Sequence, residues 1–160
     1  MTMLKGFFLP TRYFLTAGFG RGNSELVAFD DALIAAGVAD LNLIKLSSIL
    51  VPGCKKIEKE QIYPGYFVGV AFAKNAGTHT GERIASAMAI AHPKKKDRAS
   101  LIMEYSASMR AEDCEMVVRK MAEEGLSNRM LDIDRIESIS IDCVINEISY
   151  AATFAAVVEL

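Results

Sequence analysis

Leu41-Asn42-Leu43-Ile44-Lys45-Leu46-Ser47-Ser48-Ile49-Leu50-Val51-Pro52-Gly53 reads as a strand that delivers two adjacent serines to a turn. Its side chains alternate: Leu41, Leu43 and Lys45 point one way, and Asn42, Ile44 and Leu46 the other. Pro52-Gly53 ends it. A Ser-Ser pair at a strand end is by itself an ordinary structural feature, so its meaning rests on the rest of the chain.

Upstream, Leu4 to Leu9 and Tyr13 to Ala17 read as strands interrupted by Pro10-Thr11, and Gly18-Phe19-Gly20-Arg21-Gly22 as a tight turn. The glycine spacing matches neither a dinucleotide fingerprint nor a phosphate loop, and no Lys-Ser/Thr follows. Asn23 or Ser24 can cap a helix with Glu25 in its first turn, and Gly37 ends it. Leu26, Phe29, Leu33 and Ile34 fall at helical spacing, which predicts the buried stripe. Asp30 lies at the edge of that stripe, either as a solvated rim residue or as a carboxylate looking into a cleft. Asp31, the next residue round, reads as plain solvent.

Downstream, residues 55–63 are polar and loop-like, Tyr66 to Lys74 alternates as a strand, and Thr78 to Gly81 is a turn. From Glu82 to His92 alanine favours a helix, but Ala85, Ala87, Ala89 and Ala91 alternate strictly with Ile84, Ser86, Met88 and Ile90. The period of two predicts a strand whose small residues permit close packing. Pro93 to Arg98 is a basic, solvated turn. Ala99 to Ser106 is a strand with Glu104 among its apolar residues, an acid that either pairs with a base, faces solvent or does chemistry. Ala111 to Met121 is a helix with a Cys114, Val117, Val118, Met121 stripe, punctuated by Gly125. Ile133 to Ile145 and Ile148 to Val158 read as a closing hairpin with Asn146-Glu147 near its turn. Two helices and about eight strands predict an α+β layered sandwich.

The 160 residues are half hydrophobic and a quarter charged, enough for one domain (1–160) with a sizeable core. A net charge of -2 gives no footprint for nucleic acid or an anionic membrane. No apolar run approaches the roughly 18 residues that span a bilayer, and the first ten residues do not read as a secretory signal. A mean hydropathy of +0.22 points to apolar surface covered by oligomerisation. Cys54, Cys114 and Cys143 are odd in number and form no framework, which fits a reducing cytoplasm. His79 and His92 have no partner pattern for a metal or a catalytic triad and are read as structural.

Asn42-Leu43-Ile44 leading to Leu46-Ser47-Ser48-Ile49, with Pro52 following, resembles the self-cleavage site of the pyruvoyl-dependent arginine decarboxylases. Further blocks extend the resemblance in order along nearly the whole chain. They are Ala28-Phe29-Asp30-Asp31-Ala32-Leu33 with Ala36-Gly37, then Leu101-Ile102-Met103-Glu104-Tyr105 and Asp134-Arg135-Ile136-Glu137-Ser138-Ile139. One departure is Val51-Pro52, where the family often carries Pro-Pro; it touches the turn rather than the reacting atoms. The resemblance implies an αββα sandwich, mostly antiparallel, assembled as a homotrimer with active sites between subunits. It implies cleavage between Ser47 and Ser48 into a β chain (1–47) and an α chain (48–160) that begins with a pyruvoyl group made from Ser48.

Decarboxylating an amino acid leaves a carbanion beside nitrogen, which no ordinary side chain can hold, so an electron sink is required. The Ser48 hydroxyl can attack the Ser47 carbonyl, turning amide to ester. Elimination then frees Ser47 as a carboxylate, and water converts the remaining dehydroalanine to pyruvoyl and ammonia. The substrate amine would form a Schiff base with that ketone. By resemblance Glu104 is the proton donor, which requires that it be kept protonated, and Asn42 assists processing or orients groups, where by itself it would be an ordinary strand residue. Asp30 is the substrate-binding acid, suited to a guanidinium by two parallel hydrogen bonds but also able to accept an ammonium. Arginine as substrate, giving agmatine and carbon dioxide for polyamine synthesis or acid consumption, is inherited from the resemblance. Two rivals stand beside this reading: a hydrolase that keeps Ser48 as an N-terminal nucleophile, and a non-catalytic homologue that never cleaves and serves as a binding or regulatory subunit.

Overall fold

A computed structural model of the chain describes residues 9–146 and 149–160. Among them the chain forms nine strands and two helices, including a two-residue strand at Lys55–Lys56 inside the stretch expected as a loop. In chain order these are Arg12–Gly22 (β1), Glu25–Ala36 (α1), Asn42–Lys45 (β2), Ile49–Leu50 (β3), Lys55–Lys56 (β4) and Phe67–Gly77 (β5). Arg83–Pro93 (β6), Ser100–Ala107 (β7), Ala111–Ser127 (α2), Ile133–Val144 (β8) and Tyr150–Glu159 (β9) follow. The strands form a five-stranded sheet, β2-β5-β9-β1-β4, and a four-stranded sheet, β3-β7-β6-β8. The second sheet is antiparallel throughout, and the first is parallel only where the short edge strands β2 and β4 join it.

Alternation along each strand divides the core into layers. Val68, Val70, Phe154 and Val158 face α1 and pack on Ala28, Ala32 and Ala36. Tyr13, Ala71, Ala155 and Val157 face the other sheet and meet Leu50, Met88, Ile90 and Ile102. Ala85, Ala87 and Ala89, on the opposite face of β6, pack under Cys114, Val118, Ala122 and Leu126 of α2. The result is the expected αββα sandwich, and the period-two reading of Glu82 to His92 is borne out. No helix among the described residues is long and apolar enough to cross a membrane.

Several expectations need correction. Residues 18–22 are not a turn but the second half of β1. A Cβ on Gly20 would lie 2.5 Å from the Ala28 carbonyl oxygen, and one on Gly22 would lie 2.7 Å from the Ala28 nitrogen. These glycines serve close approach of α1, not positive φ. For the same reason the buried face of α1 is Ala28, Ala32 and Ala36 with Phe29 and Leu33 at its flank, while Leu26 and Ile34 are 75% and 60% exposed. The helix ends are as expected: the Ser24 hydroxyl accepts from Val27 N at 3.3 Å, and Gly37 closes the helix at φ 76°.

Gly125 does not end α2, which runs on to Ser127. A Cβ there would lie 2.5 Å from Leu101 Cδ2 and 2.6 Å from Met103 Cε, so the missing side chain lets α2 settle on β7. The closing hairpin is not formed either: β8 pairs with β6 at an edge of the second sheet, and β9 lies between β5 and β1 at the centre of the first. After Tyr150, β9 is buried at every residue and suits a position covered on both faces, whereas most of β8 is half-buried or exposed and suits an edge. The expected strand Leu4 to Leu9 falls, but for Leu9, outside the described residues, as does Glu147 of the expected turn.

Candidate active site

Ser47 and Ser48 sit where the chain leaves one sheet for the other. Leu46 N donates to Val70 O at 3.0 Å and anchors the near side to the first sheet. Ser48 O accepts from Ile102 N at 2.9 Å, and Ile49 and Leu50 pair with Leu101 and Ser100 of the second. The Ser47–Ser48 peptide is therefore held from both ends across the junction. Ser48 has φ 72°, and among the described residues only Met130 shares a positive φ without being glycine. The left-handed region costs a non-glycine residue on the order of 1–3 kcal/mol and persists only where the surroundings impose it. Among the described residues neither serine hydroxyl has a hydrogen-bond partner. Cys54 N closes the following turn onto Val51 O at 3.1 Å, with Gly53 at φ 78°.

Glu104 comes to this junction from β7, opposite Met88 and two residues beyond Ile102. Its Oε1 lies 3.4 Å from Lys45 Nζ, at the end of β2, and its Oε2 is buried without a hydrogen-bond partner. The side chain is 38% exposed, so Glu104 is not sealed among apolar neighbours. Lys45 Nζ also lies 4.7 Å from the centroid of the Phe72 ring. Sequence reasoning treated Lys45 only as a strand residue; its signal was its place three residues before Ser48, at the point where the strand ends.

Asn42 opens β2, while Ser48 lies past its other end, several residues away at about 3.3 Å each. Its amide donates to Gly65 O at 2.7 Å and fixes the turn that leads into β5. Asp30 is exposed on α1 and makes no hydrogen bond or ion pair among the described residues. The Phe29 ring beside it lies 6.4 Å from Phe72, so a run of contacts leads from Glu104 through Lys45 and Phe72 towards α1 without bringing Asp30 to Glu104. Asp31 is not plain solvent: its Oδ2 accepts from Arg21 N at 2.9 Å and ties α1 to the end of β1. A cavity of about 120 Å³ is walled by residues 50–54 with His92, Arg98 and Ser100, and one of about 280 Å³ lies at the end of α1. Neither contains Ser48, Glu104, Asn42 or Asp30.

The 134–139 block serves the fold. Glu137 accepts from Tyr13 Oη at 2.8 Å, pairs with Lys56 at 2.7 Å, and lies 2.9 Å from His92 Nε2. Burial pushes this carboxyl up, but the hydrogen bonds from Lys56 and Tyr13 and the Lys56 charge outweigh it and hold it at about 2. The other His92 nitrogen lies 2.9 Å from Ser100 Oγ, and burial, then the Arg135 charge, push the imidazole below its ordinary value. The knot joins β1, β4, β6, β7 and β8.

The model of a family described as Pyruvoyl-dependent arginine decarboxylase (PvlArgDC) matches residues 12–159. A pyruvoyl-dependent arginine decarboxylase of Methanococcus aeolicus is 39% identical over 148 residues, 92% of this chain and 88% of its own. Its counterpart in Methanocaldococcus jannaschii is 36% identical over 150 residues, 94% and 91% of the two chains. The pyruvoyl-dependent arginine decarboxylase 2 of Archaeoglobus fulgidus is 32% identical over 154 residues, 94% and 98%. The family's dependence on pyruvoyl implies a covalently held pyruvoyl group. Ser48 fits the demand that such a group places on its parent residue: a free hydroxyl next to its own preceding carbonyl, on imposed backbone. With a family match over nearly its full length, the chain belongs to the pyruvoyl-dependent arginine decarboxylase family.

Proposed function

We propose that the chain cuts itself between Ser47 and Ser48 and then decarboxylates L-arginine to agmatine and carbon dioxide. The observation that carries this reading is Ser48 itself, a non-glycine residue at φ 72° with its hydroxyl free, in a peptide anchored to both sheets. Attack of Ser48 Oγ on the Ser47 carbonyl carbon forms an ester as the amide breaks. Loss of the Ser48 α-proton and cleavage of its Cβ–O bond release Ser47 as a carboxylate, and water replaces the nitrogen as ammonia. The products are a β chain, 1–47, and an α chain, 48–160, capped by pyruvoyl. Once formed, that group supplies a carbonyl that takes up the substrate amine and the electrons left behind by carbon dioxide.

The remaining roles fall to side chains of this chain. Glu104, at the junction with one oxygen unpartnered, delivers a proton to the substrate α-carbon. Asn42 fixes the approach to β5 through Gly65 and orients the neighbouring strand. Asp30, exposed and unpaired among the described residues, offers a carboxylate to the guanidinium. Its distance from the junction is bridged in a homotrimer, where α1 of one subunit covers the site of the next. The exposed Leu26, Val27 and Ile34 beside Asp30, with Tyr66 and Phe67 at the start of β5, give that contact its apolar surface. Three free cysteines fit a cytoplasmic protein.

The test is release of labelled carbon dioxide from carboxyl-labelled arginine, ornithine and lysine. Arginine should be strongly preferred, because a planar carboxylate–guanidinium pair makes two hydrogen bonds that an ammonium cannot match. Equal turnover of the three would contradict Asp30 as a guanidinium site, and no release from any would contradict the activity.

A further inference from the structure

Lys45 is the last residue of β2, and its ammonium lies between the face of Phe72 and Oε1 of Glu104, 4.7 Å from the ring centroid and 3.4 Å from the oxygen. Phe72 belongs to the first sheet and Glu104 to the second. One cation therefore joins the two sheets beside the scissile peptide. Among the described residues no other charged group is ion-paired with Glu104. On β6, Met88 stands opposite it, and the charged groups lie only at the ends: Arg83 paired with Asp142, and His92 beside Glu137. The one charged residue of β5, Lys74, lies over Phe29, and β3 has none.

Glu104 is held by one oxygen only, since Oε2 is buried with no partner. The pair does not depend on the intact Ser47–Ser48 bond. Lys45 is opposite Val70 in the β2–β5 ladder, Leu46 N is bonded to Val70 O, and Glu104 is fixed by β6. Both partners stay anchored after the chain is cut.

We propose that Lys45 is the positioning residue for Glu104, an inference that rests on the reading of Glu104 as proton donor. Its N–H donates to Oε1 and turns the carboxyl so that Oε2 is the oxygen that carries the proton to the substrate carbon. When Oε2 gives up that proton, the carboxylate left behind is already paired. The side chains are 57% and 38% exposed, so the pair adds little to stability, and its effect belongs to geometry.

The experiment uses the full chain with Lys45→Met and Lys45→Arg, each alone and combined with Glu104→Gln. Lys45→Met should cleave normally by mass, lose about ten- to a hundred-fold in kcat as a misplaced catalytic group does, and keep KM for arginine within about twofold. Lys45→Arg should recover most of kcat. In the Glu104→Gln background Lys45→Met should cost nothing further, as expected for residues acting as one unit. A Lys45→Met enzyme with unchanged kcat, with only KM raised, or with the same loss in both backgrounds overturns the proposal. Full turnover by Glu104→Gln alone would instead overturn the donor reading beneath it. Should Lys45→Met fail to cleave, the carboxyl carbon signal of Glu104 in the uncleavable Ser48→Ala chain is the measure. It should move with Lys45→Met and stay with Lys45→Arg, and no movement overturns the proposal.

Discussion

At Ser48 the chain holds one residue in a conformation that L side chains avoid, between two strands that belong to different sheets. The hydrogen bonds at Leu46 and Ser48 supply the constraint, so the strain is imposed by the junction and not by the local sequence. That is why Ser-Ser was legible from the sequence as a site only through the order of its neighbouring blocks, while its φ was not legible at all. The pairing of Glu104 with Lys45 was equally hidden, because the partners are 59 residues apart and meet across sheets. Separating self-cleavage from turnover is the sharpest prediction at this scale. Glu104→Gln should still split between residues 47 and 48, yet lose about 100-fold or more in kcat, the usual range for a proton-transfer group. Intact mass and agmatine formation, read on one sample, check both halves; near-normal turnover would remove Glu104 from the reaction.

Elements were easier to find than to place. The alternation of residues 83–93 and the Ser24 and Gly37 caps were legible because they depend on local period and local φ. The buried face of α1 was not, because Leu26 and Ile34 look like core until the glycines of β1 are seen to admit only alanine. Likewise β8 and β9 are adjacent in sequence but belong to different layers, a choice made by which strand can be buried on both faces. The β1–α1 contact gives a direct prediction. In the uncleaved Ser48→Ala chain, Gly20→Ala puts a methyl 2.5 Å from the Ala28 carbonyl and should cost about 1–3 kcal/mol or more, read as a lower melting temperature. An unchanged transition would mean that α1 can lift from β1 at no cost.

At the scale of the whole molecule, the α+β class and the layered architecture followed from element types, since two helices must cover the outer faces of sheets whose inner faces meet. The polar exceptions inside that sandwich did not follow. Glu159 ends β9 at 1% exposure, and burial pushes its carboxyl from 4.5 up to about 7. The folded chain thus holds a proton that the unfolded chain loses, so stability is full below about pH 4.5 and declines as pH rises to about 7. The loss amounts to roughly 3 kcal/mol at about 1.4 kcal/mol per pH unit. In the Ser48→Ala background, Glu159→Gln should therefore gain stability over its parent at pH 8 and little or none at pH 4, by denaturant titration. A constant difference at both would contradict a buried, titrating Glu159. The central claim, that this chain makes its own electron sink at Ser48, is tested most directly by intact mass of the purified protein under denaturing conditions. The prediction is two chains, 1–47 ending in a carboxylate and 48–160 lacking its terminal amine, with Ser48→Ala giving one. A single uncut wild-type chain, or an α chain that begins with serine and keeps its nitrogen, would contradict it.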